Sequence, residues 1–297
     1  NEIQTIASMC NATNSLDFSI MERTAFTKMY KKAKEKGTEA ISMEYDIPQE
    51  EVEVLLPSLI VLNRLLKYTV NDSILLSNVL LSDAVMFEML FPKEASFVVK
   101  AYEEFTLQSA TSIAERFGRD TGHISRVSSV ALEIYDKMKK LHGYKLRERT
   151  LLQVSAILQD IGKYVNVRNH ALLSYNTITN LDIVGINDHE RLIIATVCYY
   201  HNGNIPSMDS PIYNQLSQED RVMVSKLAAI LQISNAINTS HSPKFEQVSV
   251  NMKNGKLNIY LTTLKNINLE KWAFIAKTKL FREVYGLNAT IIKRGVL

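Results

Sequence analysis

Residues 156–165 read AILQDIGKYV, and the doublet Gln159-Asp160 stands where a histidine-aspartate pair would offer an imidazole nitrogen and a carboxylate oxygen to a divalent cation. Other residues of suitable type follow in order. His123 opens HISRVSSVALEIYDKM, where Val127, Val130 and Ile134 recur at helical steps and aim it at a core. His170 lies in VRNHALLSYNTI, His201 in CYYHNGN and Asn235 in LQISNAINTSH.

A hydrolytic metal centre needs several imidazoles and carboxylates, because their charge and directed lone pairs lower the pKa of a bound water. Gln159 offers only a neutral carboxamide oxygen, and Asn235, where a last carboxylate is expected, offers another. Of the inner set His123 and Asp160 remain. No metal is therefore expected at His123, Gln159, Asp160 and Asn235. A lone histidine on an apolar helix face reads as a hydrogen-bonded core residue, and Asp160 before Ile161-Gly162 reads as a turn cap.

The chain has 297 residues, 46% of them apolar, which suits two or three domains with hydrophobic cores. It has no run of eighteen apolar residues and no basic, greasy start, so a cytoplasmic protein without a membrane partner is expected. Cys10 and Cys198 match no zinc spacing and suit a reducing compartment. The first residue is Asn rather than Met, and an apolar alternating segment follows, which reads as a fragment. The net charge is +3, yet residues 247–297 hold nine Lys/Arg against Glu270 and Glu283, a local +7 on a body of −4. Such a tail suits a polyanion, although a solvated lysine-rich surface is the simpler account.

Stepwise apolar spacing predicts helices over 19–36 and 48–69, the second from Pro48 through Val52, Leu55, Leu59, Leu62 and Leu66. SILLSN (73–78) reads as a short buried strand, and SDAVMFEML starts another helix behind a Ser-Asp cap. Residues 93 to about 241 read as almost wholly helical, broken at FGRDTG, HGYKLRE, VNVRN, NLDIVGIN and NGNIPSMDSP. The last fifty residues alternate at Val248, Val250 and Met252, turn at Asn254-Gly255, and alternate again at Leu257, Ile259 and Leu261. A helix whose apolar face runs through Trp272, Ile275, Leu280 and Val284, then the strand ATIIKR, complete a small basic α/β unit. The fold class is thus mainly α, with domains expected at 1–92, 93–244 and 245–297.

Together, ILQDIGKYVNVRNHALLSYNTITN, IVGINDHERLIIATVCYYHNG and LAAILQISNAINTSH resemble the C-terminal helical domain of the exopolyphosphatase and guanosine pentaphosphate phosphohydrolase (Ppx/GppA) family. The family's His-x-x-His-Ser run corresponds to His170, Leu173 and Ser174, and its Arg-Tyr-His to Tyr199, Tyr200 and His201. The resemblance implies a degraded, HD-like helical domain, a partial actin-like phosphatase lobe before it and the family's small last domain after it. It also implies catalysis in a cleft whose glycine-rich loops cradle phosphate and whose acidic residues bind Mg²⁺. The ten glycines here stand no closer than four positions apart, so no Gly-x-Gly loop is present, no catalytic residue is expected, and that Mg²⁺ belongs elsewhere.

Three functions follow. The resemblance first implies the C-terminal part of a polyphosphate or guanosine pentaphosphate hydrolase, with Arg126, Lys163, Arg168, His170 and His201 as expected phosphate contacts. Alternatively it is a non-catalytic binding or homodimerisation module. An independent His-Asp metallophosphohydrolase is disfavoured by Gln159 and Asn235. No specific nucleic-acid partner is indicated.

Overall fold

The computed structural model describes residues 2–14, 18–77, 81–92, 96–240, 242, 244–253 and 255–295. They form two compact units, Asn1–Ser96 and Phe97–Leu297, and most of the described residues are helical.

In the first unit the apolar alternation of the opening segment makes no strand. It becomes helix α1 (Glu2–Met9), which buries Ile6, Ala7 and Met9. Strands β1 (Thr13–Asn14), β2 (Phe18–Glu22) and β3 (Ser73–Ser77) form an antiparallel sheet in the order β1-β2-β3. Residues 19–22, expected in a helix, are therefore strand, and helix α2 (Arg23–Tyr45) starts only afterwards. The physical reason is local alternation: Ser19 and Met21 point inward, and the register from Phe18↔Ser77 to Glu22↔Ser73 pairs the whole segment. Arg23 fixes the switch by donating to the carbonyls of Leu66, Thr69 and Asn71.

Helix α3 (Gln49–Leu66) buries Val52, Leu55 and Leu59 against Phe26, Met29 and Ile41. Strand β3 forms where expected but is not a buried strand, since only Leu76 is buried and Leu75 is 68% exposed. Helix α4 (Leu81–Leu90) buries none of its side chains. Asn78 lies outside the described residues.

The second unit begins with α5 (Ser96–Arg116), α6 (Thr121–Lys137), α7 (Lys139–His142) and α8 (Leu146–Leu158). A 3₁₀ turn (Ile161–Tyr164) follows, then α9 (His170–Ile178), α10 (Asp188–Tyr200), α11 (Pro211–Asn214) and α12 (Gln218–Ile237). The breaks fall at the glycine- and asparagine-rich segments, and side chains close the helix starts. Asp120 accepts from the N–H groups of Gly122 and His123, Ser217 accepts from that of Asp220, and Asn187 and Glu190 form a reciprocal capping box. Helix α12 is buried on most of its circumference, as expected of a helix packed on several sides.

The chain then makes β4 (Gln247–Lys253), β5 (Lys256–Thr262), α13 (Asn268–Tyr285) and β6 (Asn288–Arg294). β4 and β5 form an antiparallel hairpin, and β6 returns parallel to β5 by way of α13. Asn254 of the expected turn and His241 lie outside the described residues, while Gly255 takes a positive φ of 67° that suits a tight turn. Residues on either side of position 245 share one apolar core, in which Val250, Ile259, Phe274 and Phe281 join Leu227, Ala228 and Leu231.

The inner face of α13 differs from expectation. Leu280 is buried and Val284 packs on the core as expected, but Trp272 and Ile275 are each 73% exposed, and Ala273, Phe274 and Phe281 are buried in their place. Phe274 and Phe281, seven positions apart, lie on one stripe of the helix, the one that is buried. Among the described residues no helix is long and apolar enough to cross a membrane.

Candidate functional site

Helix α8 delivers Gln159 and Asp160 into the 3₁₀ turn, and both are buried. Gly162 lets that turn meet α9 backbone to backbone. A Cβ at this position would stand 2.2 Å from the His170 carbonyl oxygen and 2.5 Å from the Ser174 nitrogen. Ser174 then staples the turn: its hydroxyl donates to the Gln159 carbonyl at 2.8 Å and accepts the Gly162 N–H at 2.9 Å. This packing brings Asp160 to His170 at the first turn of α9, and His201 arrives from the end of α10.

Asp160 Oδ1 lies 3.3 Å from His201 Nε2 and 3.6 Å from His170 Nε2, and the two Nε2 atoms are 3.3 Å apart. The other ring nitrogens face main-chain carbonyls, His170 Nδ1 that of Val167 at 2.8 Å and His201 Nδ1 that of Cys198 at 2.5 Å. A carbonyl can only accept, so each Nδ1 carries a proton, and a ring that gives up its other proton leaves its Nε2 lone pair directed at Asp160. Asp160 Oδ1 makes no hydrogen bond of good geometry despite these approaches, while Oδ2 accepts from Lys163 Nζ at 2.7 Å. Asp160 thus caps no helix end through its side chain.

Burial opposes ionisation of Asp160, but the neighbouring His201 ring and the Lys163 ammonium that donates to Oδ2 outweigh it and hold the carboxyl well below the ordinary carboxylate range. Burial, reinforced by the charge at His201, pushes His170 down. Cys198, fully buried with its thiol on the Ser155 carbonyl at 3.3 Å, is pushed far up by burial and by Asp160, so it is an inert core thiol.

The residues expected at a site separate accordingly. His123 is buried with Val127, Val130 and Ile134, and it lines a cavity of about 130 Å³ with Asp120, Gln159 and Asp160. The Gln159 carboxamide oxygen is buried without a hydrogen-bond partner among the described residues. Asn235 is half-buried on α12 and does not belong to the triad. Of the five expected phosphate contacts, His201 is 0% exposed and His170 is buried, with their ring nitrogens turned to Asp160 and to carbonyls. Arg126 pairs with Asp120 at 3.8 Å, Lys163 is partly exposed, and Arg168 is exposed.

Sequence reasoning missed Lys277. This residue of α13 lies close enough for its charge to act on Asp160 and Lys163, and burial pushes its amine below the ordinary lysine value. Nothing near Lys277 in sequence signals that placement, which depends on how α13 packs on α12.

The family model for Ppx/GppA phosphatase, domain III, matches residues 107–280, more than half of the chain. The chain belongs to the Ppx/GppA phosphatase family. The matched span runs from within α5 to within α13, so the Ppx/GppA domain III region carries Asp160, His170, His201 and Lys277 together.

Proposed function

We propose that this chain serves a phosphohydrolase of the Ppx/GppA type acting on inorganic polyphosphate or guanosine pentaphosphate, and that it supplies substrate-path and dimer surface rather than the reacting groups. The family match over residues 107–280 carries this reading. Two features support the division of labour. The sequence has no Gly-x-Gly segment to wrap a phosphate, and the buried triad is the wrong site for the Mg²⁺ that phosphoryl transfer uses. Magnesium takes hard oxygen ligands in octahedral geometry, whereas the triad offers two imidazoles and one carboxylate. In this reading the Asn1–Ser96 unit is the closing part of an actin-like lobe, the helices of the second unit are HD-like, and the protein works in the cytoplasm.

Lys163 borders the site, exposed Arg168 stands two positions before His170 in sequence, and a polyphosphate chain is the partner their charge suits. Binding of long-chain polyphosphate to this protein tests the reading. Affinity should fall steeply as salt rises, and Lys163→Ala with Arg168→Ala should weaken it and flatten the slope. Absence of binding at low salt refutes the substrate path, and phosphate release by this chain alone refutes the division of labour.

The exposed face of α13 favours a homodimer. Trp272 and Ile275, with Leu269 and Leu264 nearby in sequence, leave large apolar groups in solvent. Light scattering should give twice the mass of one chain, and Trp272→Glu with Ile275→Lys should halve it. A monomer mass for the unaltered protein at tens of micromolar refutes the dimer.

A further inference from the structure

We infer that Asp160, His170 and His201 form a binding site for one zinc-type divalent transition-metal ion, which is independent of the proposed substrate. The three inward atoms are Asp160 Oδ1 and the two Nε2 atoms, separated by 3.3, 3.3 and 3.6 Å. A point equidistant from all three lies about 2 Å from each, the bond length of zinc to imidazole nitrogen and carboxylate oxygen.

The surroundings prepare the same geometry. Both histidines turn Nδ1 to a backbone carbonyl, the outer-shell arrangement that fixes the tautomer and leaves Nε2 free to ligate. Asp160 is held from behind by Lys163 on Oδ2, which leaves Oδ1 as the ligating oxygen. A single proton is the competing occupant. It joins only two of three acceptors and leaves the third lone pair facing them, while a cation of the right radius satisfies all three.

Counting ligands by position in the sequence missed this set, because it counted Gln159 and Asn235 as losses and placed His170 and His201 on phosphate. Three protein ligands leave a fourth position for water or another oxygen donor. Asp160 also lines the cavity beside His123. Lys163 and Lys277 oppose a dication and set an upper limit on its affinity, but Lys163 is paired with Asp160 Oδ2 and burial pushes the Lys277 amine below its ordinary value.

The test uses the untagged full chain, stripped with chelator and then equilibrated with Zn²⁺ alone. Plasma mass spectrometry should find about one zinc per chain, and Co²⁺ in its place should give the visible absorption bands of a four-coordinate nitrogen–oxygen site. Asp160→Asn and His170→Gln should each weaken Zn²⁺ binding by at least about 100-fold, since losing a ligand costs more than losing an outer-shell partner. Circular dichroism separates this loss from misfolding, and His189→Gln, an exposed histidine paired with Asp220, should bind as the unaltered chain does. A folded chain that takes up no Zn²⁺ at tens of micromolar overturns the site, as does uptake that survives both ligand substitutions. Either result leaves the polyphosphate experiment untouched.

Discussion

Ser174 and Gly162 hold the turn that carries Asp160, with the Gly162 N–H donating to the Ser174 hydroxyl at 2.9 Å while that hydroxyl donates to the Gln159 carbonyl at 2.8 Å. Ser174→Ala leaves a buried N–H and a buried carbonyl unpaired. A buried group stripped of its partner costs about 1–3 kcal/mol, so the urea midpoint should fall clearly. Gly162→Ala places a methyl against the His170 carbonyl, forces α9 off the turn and should cost about 1–3 kcal/mol. A Gly162→Ala protein that melts with the unaltered chain would show that α9 and the turn do not pack this closely.

Arg147 and Glu190 form a two-pronged pair between α8 and α10, with Nε to Oε1 at 2.6 Å, Nη2 to Oε2 at 2.5 Å and Nη2 also to the Gly185 carbonyl at 2.6 Å. Burial resists the charge on Glu190, yet the Arg147 hydrogen bonds and the Asn187 N–H keep its carboxyl below the ordinary value. Arg147→Lys loses the fork geometry, and because the guanidinium is partly in solvent the loss should be modest, about 1 kcal/mol. Asn187→Ala should cost about 1 kcal/mol through the lost cap. Glu190 serves both contacts, its carboxylate accepting from Arg147 and its N–H donating to Asn187 Oδ1, so the double substitution should cost less than the two single losses combined. Strict additivity in denaturation would refute the coupling.

His142 makes the second unit sensitive to acid. Its Nε2 meets the Tyr135 carbonyl at 2.9 Å, and its Nδ1 accepts the Tyr144 N–H at 3.0 Å, so protonation must evict a backbone donor. Burial pushes its pKa down, with Lys226 helping, against the Tyr135 carbonyl and the carboxylates of Asp136 and Glu148. The unfolded chain therefore takes up a proton near pH 6.5 that the folded chain refuses, and stability falls as pH drops below about 6.5 and is regained above it. Urea midpoints at pH 7.5 and 5.5 should differ in that sense, and the difference should shrink in His142→Gln. An equal fall in both proteins would rule His142 out as the cause.

Period and punctuation made most of the second unit legible. The breaks that glycine, asparagine and proline mark divide α5 from α6, α7 from α8, the 3₁₀ turn from α9, α9 from α10 and α10 from α11, and the hairpin of β4 and β5 follows from simple alternation. Residues 19–22 misled because a strand running straight into a helix has no turn residue between them, and a pattern that fits the helix extends back over it. The face of α13 misled because Trp272 and Ile275 are as apolar as Phe274 and Phe281, and only the shape of the partner surface decides which pair goes inside. The triad was half legible. Asp160, His170 and His201 were each singled out, but their meeting depends on Gly162 allowing two backbones to touch, which residue identity alone does not announce.

The Tyr285 hydroxyl donates to the Lys226 carbonyl at 3.1 Å, and the Lys226 ammonium sits over the Tyr144 ring at 4.9 Å, so the last helix is fastened to α12 and through it to the loop before α8. Calorimetry of this protein should accordingly record one endotherm for everything from α5 to β6. Expression libraries that stop near residue 244 will yield insoluble product, because such clones strip Phe274, Phe281 and the inward residues of β4 and β5 from an interior that α12 shares with them.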